Sequence, residues 1–207
     1  MKVLLLNGSP KSSSSVSETI IDELRKKLGD NNEYNVIRAM GLDKSELLEY
    51  IRETDILVVC FPLYVDGIPS HLLRLLYEIK DDLKQSNPDV TVYAIANNGF
   101  YEGKQNHVAL SMIRHFCESA GIRWGQGLGI GAGGMVGVAP MGYGPMKSIG
   151  SALDTLSNSI QNKTKNDDIF VQPNFPKFLY KMGGHRGWRI ESKKNGLKRK
   201  DLYKRAL

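Results

Sequence analysis

Residues 3–16 read Val3-Leu4-Leu5-Leu6-Asn7-Gly8-Ser9-Pro10-Lys11-Ser12-Ser13-Ser14-Ser15-Val16. Four consecutive apolar residues with no polar alternation suit a strand covered on both faces, which is the environment of a parallel sheet. A polar turn follows at once, and from Val16 the apolar residues Ile20, Leu24 and Leu28 recur at helical spacing. Ser15 and Glu18 stand three apart at the start of that stripe. This is the spacing of a capping box, in which the serine accepts from an orphan amide and the glutamate reaches back. Strand, polar loop and capped helix together make the first half of a β-α-β unit.

The alternation continues outward. Tyr34 to Arg38 predicts a second strand, and Asp43 with Glu46 a second capped helix bearing Leu47 and Ile51. Ile56 to Phe61 predicts a third strand. Pro69 opens a helix carrying Leu72, Leu76, Ile79 and Leu83. Val90 to Ala96 predicts a fourth strand, and Val108, Met112, Phe116 and Ala120 a helix stopped by Gly121. Trp124 to Ile130 predicts a fifth strand. A Gly-rich loop then leads to a fifth helix that begins near Pro145 and carries Ile149, Leu153, Leu156 and Ile160. Five such units predict an α/β domain over residues 1–162, a doubly wound five-stranded parallel sheet with right-handed crossovers. Residues 163–207 stand outside the alternation as a basic C-terminal extension.

Charge divides the chain the same way. The 207 residues carry a formal +6. From Lys177 onward eleven Lys or Arg face only Glu191 and Asp201, a net of +9, so the rest of the chain carries −3. The body and the tail therefore need separate explanations. Cys60 and Cys117 are too few for a disulfide scaffold, and neither they nor the four histidines show metal-ligand spacing. The histidines are expected to be solvated. Nothing resembles a secretory signal and no apolar stretch is long enough to span a membrane, so a cytoplasmic protein without a membrane role is expected.

In an open parallel sheet, ligands bind beyond the carboxyl ends of the strands, where strand order reverses. Three loops at that edge have unusual composition. The first offers hydroxyls from Ser9, Ser13, Ser14 and Ser15 and free amides around Val16, beside a helix N-terminus and Lys11; this is a donor set for a phosphate monoester. The second, Pro62-Leu63-Tyr64-Val65-Asp66-Gly67-Ile68-Pro69, suits the flat face of an aromatic ligand and is read as neither a tight turn nor a polar linker, with Gly67 free to change dihedrals. The third, Asn97-Asn98-Gly99-Phe100-Tyr101-Glu102-Gly103, sets two amide side chains beside two aromatics. Gly129-Ile130-Gly131-Ala132-Gly133-Gly134 matches a dinucleotide fingerprint in letters, with Asp154 twenty residues on. It follows the last predicted strand and opens no prompt helix, so a lid or a subunit contact is expected there.

The sequences around these three loops resemble those of the NAD(P)H-dependent FMN reductase family, which has a flavodoxin-like fold. The resemblance covers about residues 1–160. It implies FMN phosphate on Ser9, Lys11 and Ser13 to Val16, and the isoalloxazine against Pro62, Leu63, Tyr64, Val65 and Asp66 and against Asn97, Asn98, Gly99, Phe100 and Tyr101. The serine run departs from relatives that carry Asn and Thr there. The resemblance further implies hydride transfer from NAD(P)H through FMN to a quinone, nitro compound, free flavin or similar acceptor, with no acid-base side chain, and a homodimer or higher oligomer.

Two other functions compete with this oxidoreductase. A flavodoxin-type electron carrier or flavin sensor would bind FMN without using NAD(P)H; such carriers are commonly strongly acidic, and this body is near neutral. A flavin-free module would use the basic tail on nucleic acid, but no recognised binding motif accompanies the charge. The aromatics Phe175, Phe178, Tyr180 and Trp188 are expected to be buried. The basic stretch from Lys193 to Arg205 is expected to be solvated, with a turn at Asn195-Gly196 before a short helix.

Overall fold

The computed structural model describes residues 1–204; the end of the basic stretch, Arg205, lies outside the described residues. The elements are β1 (Lys2–Asn7), α1 (Val16–Leu28), β2 (Glu33–Arg38), α2 (Lys44–Arg52), β3 (Ile56–Pro62), α3 (Ser70–Ser86), β4 (Thr91–Asn97), α4 (His107–Ala120), β5 (Arg123–Ile130), α5 (Lys147–Gln161), β6 (Ile169–Val171) and α6 (Lys177–Lys194). All strand pairs are parallel, in the order β2-β1-β3-β4-β5-β6. The chain winds outward from β1 to β2, then returns past β1 to β3. Strand order therefore reverses between β1 and β3.

Because the central strands are covered on both faces, the core forms two clusters. Leu4, Leu6, Leu57, Val59 and Phe61 point toward α2, α3 and α4, whereas Val3, Leu5, Val58 and Cys60 point toward α1 and α5. Local signals read from sequence set the helix ends. Ser15 caps α1 with Glu18 reaching back, the Asp43 side chain accepts from the Glu46 amide, and Gly121 ends α4 at φ 70°. Pro69 stands just before α3 rather than inside its first turn.

One expectation fails here. The sheet has six strands, not five, because Ile169, Phe170 and Val171 pair with Leu128, Gly129 and Ile130. Three residues are too few to show a period, and no helix follows them to complete a unit. The strand's approach is held to β5 from both sides: the Asp168 carboxylate accepts from the Gly127 backbone amide at 2.8 Å, and the Gln126 side chain donates through Nε2 to the Asp167 carbonyl at 2.7 Å.

β6 also explains the Gly129–Gly134 run. A Cβ on Gly103 would fall on the backbone of Val171 and Gly129, and one on Gly131 on the backbone of Tyr101 and Gly103. These glycines let β5, β6 and the loop after β4 approach backbone to backbone. Asp154, the acidic residue of the apparent fingerprint, lies on α5 and pairs with Lys27 at 2.5 Å.

The chain divides into two compact units, Met1–Asn174 and a second that begins at Phe175. Where the sequence suggested a boundary after 162, the first unit runs on through β6. In the second unit α6 buries no side chain, and the expected burial of its aromatics is not found: Phe178 is 64% and Trp188 74% exposed, with Phe175 and Tyr180 half-buried. Cations occur all around α6, so the helix has no apolar stripe to bury. A turn at Gly196 (φ 76°) precedes a short 3₁₀ segment, Arg199–Tyr203, as expected. Among the described residues no helix is long and apolar enough to cross a membrane.

Replacing Gly103 by alanine is expected to destabilise the first unit by about 1–3 kcal/mol, because the atoms it meets are backbone and cannot rotate away. Urea unfolding of the variant measures this; an unchanged midpoint would mean that the β5–β6 approach is looser than described.

Candidate functional site

The first loop leaves β1 at the reversal point. Asn7 is buried, and its Oδ1 accepts from the Ser9 amide at 2.9 Å, which bends the chain off the strand. The Gly8 amide donates to the Cys60 carbonyl at 2.8 Å. Here only glycine fits, since a Cβ would lie 2.9 Å from that of Phe61 and 2.6 Å from Leu72 Cδ2. The loop is thereby pinned between β3 and the first turn of α3.

Beyond it Ser9 is buried and its Oγ accepts from the Lys11 amide at 3.3 Å, while Lys11, Ser12, Ser13 and Ser14 are exposed. Ser14 adopts φ 53°, turning the chain into α1. Ser15 is buried; its Oγ accepts from the Glu18 amide at 3.1 Å and faces Asn7 Nδ2 at 3.5 Å. The loop thus brings hydroxyls, amides and one lysine to the positive end of α1. The Glu18 carboxylate accepts from the Ser15 amide at 3.3 Å, so an anion seated here would share that end of the helix with it.

The second loop differs from its sequence reading. Tyr64 and Gly67 exchange backbone hydrogen bonds of 3.0 and 2.9 Å around Val65 and Asp66, at φ 47° and 58°. Two left-handed residues in a two-residue loop make a tight turn of the primed type. Gly67 does not supply the unusual dihedral; Val65 and Asp66 do. No sequence signal marks a turn whose first position is β-branched, because valine is among the residues least suited to that conformation. Val65 is fully exposed and Tyr64 45% exposed. With Pro10, Ile68, Pro69, Ser70 and His71 they line a cavity of about 340 Å³.

His71 was expected to be solvated, as His107, His115 and His185 are. It is instead half-buried, with a buried, unpartnered Nε2. Burial pushes its pKa down and a backbone hydrogen bond to Gly8 opposes the shift. Sequence reasoning missed it because one histidine in the first turn of a helix carries no motif.

The third loop starts from two buried asparagines. Asn97 Nδ2 donates to Ser17 Oγ at 3.0 Å and to the Phe61 carbonyl at 3.1 Å, and the Asn97 carbonyl accepts from the Leu63 amide at 2.7 Å. Its side chain is therefore committed beneath the site, with Ser17, a partner that sequence reasoning did not single out. Asn98 Nδ2 donates to the Glu102 carbonyl, and the Asn98 carbonyl accepts from the Gly133 amide. Asn98 Oδ1 is buried with no partner. Gly99 and Phe100 are exposed, and the half-buried Tyr101 donates to the Pro173 carbonyl at 3.4 Å.

The sixteen residues expected at the site all lie on these three loops or at the element ends that flank them, along the carboxyl edge of β1, β3 and β4. Among the described residues no cluster of His, Cys, Asp and Glu could hold a metal ion. Cys60 beneath the loops is fully buried, and burial pushes its thiol up to about 12, so it stays protonated. Cys60 therefore presents no thiolate nucleophile beneath the loops.

No family model and no curated protein sequence matches the chain. Among solved structures it is similar to an NADH:FMN oxidoreductase in its apo form, with a TM-score of 0.62 and 14% identity over 80% of this chain and 90% of that one. It is also similar to a flavodoxin from Streptococcus pneumoniae TIGR4, with a TM-score of 0.57 and 16% identity over 79% of this chain and 100% of that one. An azoreductase from Bacillus anthracis str. Sterne gives 0.53 and 14% over 79% and 99%. The fold is flavodoxin-like.

The second loop provides a test of its own geometry. Left-handed dihedrals cost a non-glycine residue about 1–2 kcal/mol, and glycine gives back part of that through the unfolded chain. Val65→Gly is therefore expected to raise stability by roughly 0.5–1 kcal/mol, since the exposed side chain forfeits no packing. Thermal unfolding reads the sign; a lowered midpoint would show that Val65 is not held left-handed.

Proposed function

We propose that the chain is an FMN-dependent oxidoreductase, taking reducing equivalents from NAD(P)H and passing them to a quinone, nitro compound, flavin or similar small acceptor. The reading is carried by the convergence of a phosphate-type loop, an apolar turn and a buried amide loop at the β1/β3 reversal point of a flavodoxin-like sheet. The names of the similar structures, an NADH:FMN oxidoreductase and an azoreductase among them, agree with it.

The residues present fit the cofactor. Ser9 and Ser13 to Val16 supply the hydroxyl and amide donors that a terminal phosphate needs at a helix N-terminus, with Lys11 beside them. Tyr64 and Val65 give an apolar wall for a flat ring system. Asn98 Oδ1 is a buried acceptor without a donor, and a heteroaromatic edge carrying an N–H group is the complement it lacks. Bound FMN would supply the two-electron chemistry, accepting from a nicotinamide and donating to the acceptor.

The chain's own part is to bind, to orient and to exclude water. Asn97 and Gly8 hold the first and third loops to the sheet, and the Tyr64–Gly67 turn fixes the second. No side chain on this edge needs to move a proton.

The purified protein is expected to be yellow, to release FMN and not FAD on denaturation, and to oxidise NADH or NADPH when an acceptor is supplied. Absorbance, chromatography of the released flavin and a nicotinamide assay test this. A colourless protein that fails to bind added FMN would overturn the reading, and a yellow one inert toward both nicotinamides would favour an electron carrier.

Ser15→Ala removes a donor to the phosphate and the cap of α1 together. A hydrogen bond to a charged group contributes about 1.5–3 kcal/mol, so FMN affinity should fall about ten- to a hundredfold. Stability should fall by only about 1 kcal/mol. Flavin titration alongside thermal unfolding separates the two effects, and unchanged affinity would remove Ser15 from the site.

A further inference from the structure

Arg38 is the last residue of β2 and stands in register with Asn7, the last residue of β1. Residues in register on neighbouring strands project from the same sheet face, and successive residues alternate. The face is identified by Arg38's neighbours. Ile37 and Ala39 join the cluster on the α2–α4 side. Tyr34, four residues back, packs in the cluster with α1 and α5, and its ring lies 5.3 Å from the Arg25 guanidinium of α1. Arg38 and Asn7 therefore share the α1 face, at the edge where the first loop runs. Asn7 Nδ2 reaches Ser15 Oγ at 3.5 Å on that face.

The guanidinium lacks a full set of partners. Arg38 Nη2 is buried without a hydrogen-bond partner, and no carboxylate among the described residues pairs with the side chain. A buried guanidinium nitrogen left unpaired is costly, and the planar fork of arginine matches phosphate oxygens. The first loop supplies several neutral donors but one lysine, Lys11, which is exposed, and the Glu18 carboxylate adds negative charge at the same helix end. A second cation would stabilise a doubly charged phosphate seated there further, by charge-assisted hydrogen bonding.

We propose that Arg38 is a specificity-determining residue of this site: its free Nη2 donates to the ligand's terminal phosphate, so that the chain selects phosphorylated flavin over riboflavin. The inference rests on the flavin-binding reading above. It assigns to β2, a strand outside the three loops, the charge that those loops lack.

Flavin titration by fluorescence quenching tests it on the full chain, with FMN and with riboflavin, for the unaltered protein and for Arg38→Met and Arg38→Lys. The unaltered protein is expected to prefer FMN. In Arg38→Met, FMN affinity should fall roughly ten- to a hundredfold with riboflavin affinity unchanged, and raising salt should weaken FMN binding less than before. Arg38→Lys should fall between the two, because an ammonium keeps the charge without the fork. If the methionine variant does not fold, the lysine variant decides. An FMN-to-riboflavin affinity ratio unchanged in the folded variants, or a parallel loss of both ligands, would overturn the assignment. An unaltered protein that binds both flavins equally would overturn it alone, whereas one that binds neither would overturn the flavin reading with it.

Discussion

The carboxamide of Asn97 joins three parts of the molecule. From the end of β4 it donates to the end of β3 through the Phe61 carbonyl and to the first turn of α1 through Ser17 Oγ. Cys60 Sγ lies 3.5 Å from the Ser17 carbonyl beside it, and Asn7 ties the end of β1 to Ser15. These polar groups are buried between apolar strands and helices, where an unmade hydrogen bond costs about 1–3 kcal/mol. The carboxyl ends of β1, β3 and β4 are therefore held at fixed separations by a polar layer beneath the loops. What the loops can bind is set by that layer as much as by their own side chains.

Rigidity below is matched by glycine above. Gly103 and Gly131 let one backbone lie against another where a methyl group would not fit, and Gly8 leaves room for the Phe61 and Leu72 side chains. The first and third loops are thus pressed onto the sheet edge, and β6 closes the far side of the third. The second loop is fixed differently, by a tight turn that holds Val65 and Asp66 in left-handed conformations. Such strain persists only where the surroundings over-determine the backbone, and it concentrates at binding edges. A turn that could be relaxed by a single glycine has instead kept a fully exposed valine.

Much of the fold is legible in the sequence because its signals are local. Val3 to Leu6 suits a strand buried on both faces, and Ser15 with Glu18 marks the helix start without reference to anything distant. β6 was illegible for the opposite reason: Ile169 to Val171 becomes a strand through pairing with β5 and through Asp168, a contact 41 residues from Gly127. The loops were found by position and composition, yet the conformation of Val65 and the half-burial of His71 depend on tertiary neighbours. Likewise Asn97 reads in sequence as a loop residue open to ligand, and its commitment to Ser17 crosses 80 residues. In the tail, counting aromatics suggested burial, but Phe178 and Trp188 are spread around a helix studded with cations and find no shared face.

The two cysteines carry a consequence beyond packing. Both side chains are buried, and burial raises both thiols well above the ordinary range, so neither offers thiolate to solvent. Reduced flavins exposed to air generate peroxide, which attacks sulfur through the thiolate. Cys60 lies directly beneath the loops at the carboxyl edge, the part of the sheet nearest solvent-borne oxidants, and is nonetheless fully buried. The same burial that completes the core thus keeps both thiols out of reach of oxidants that attack sulfur through the thiolate.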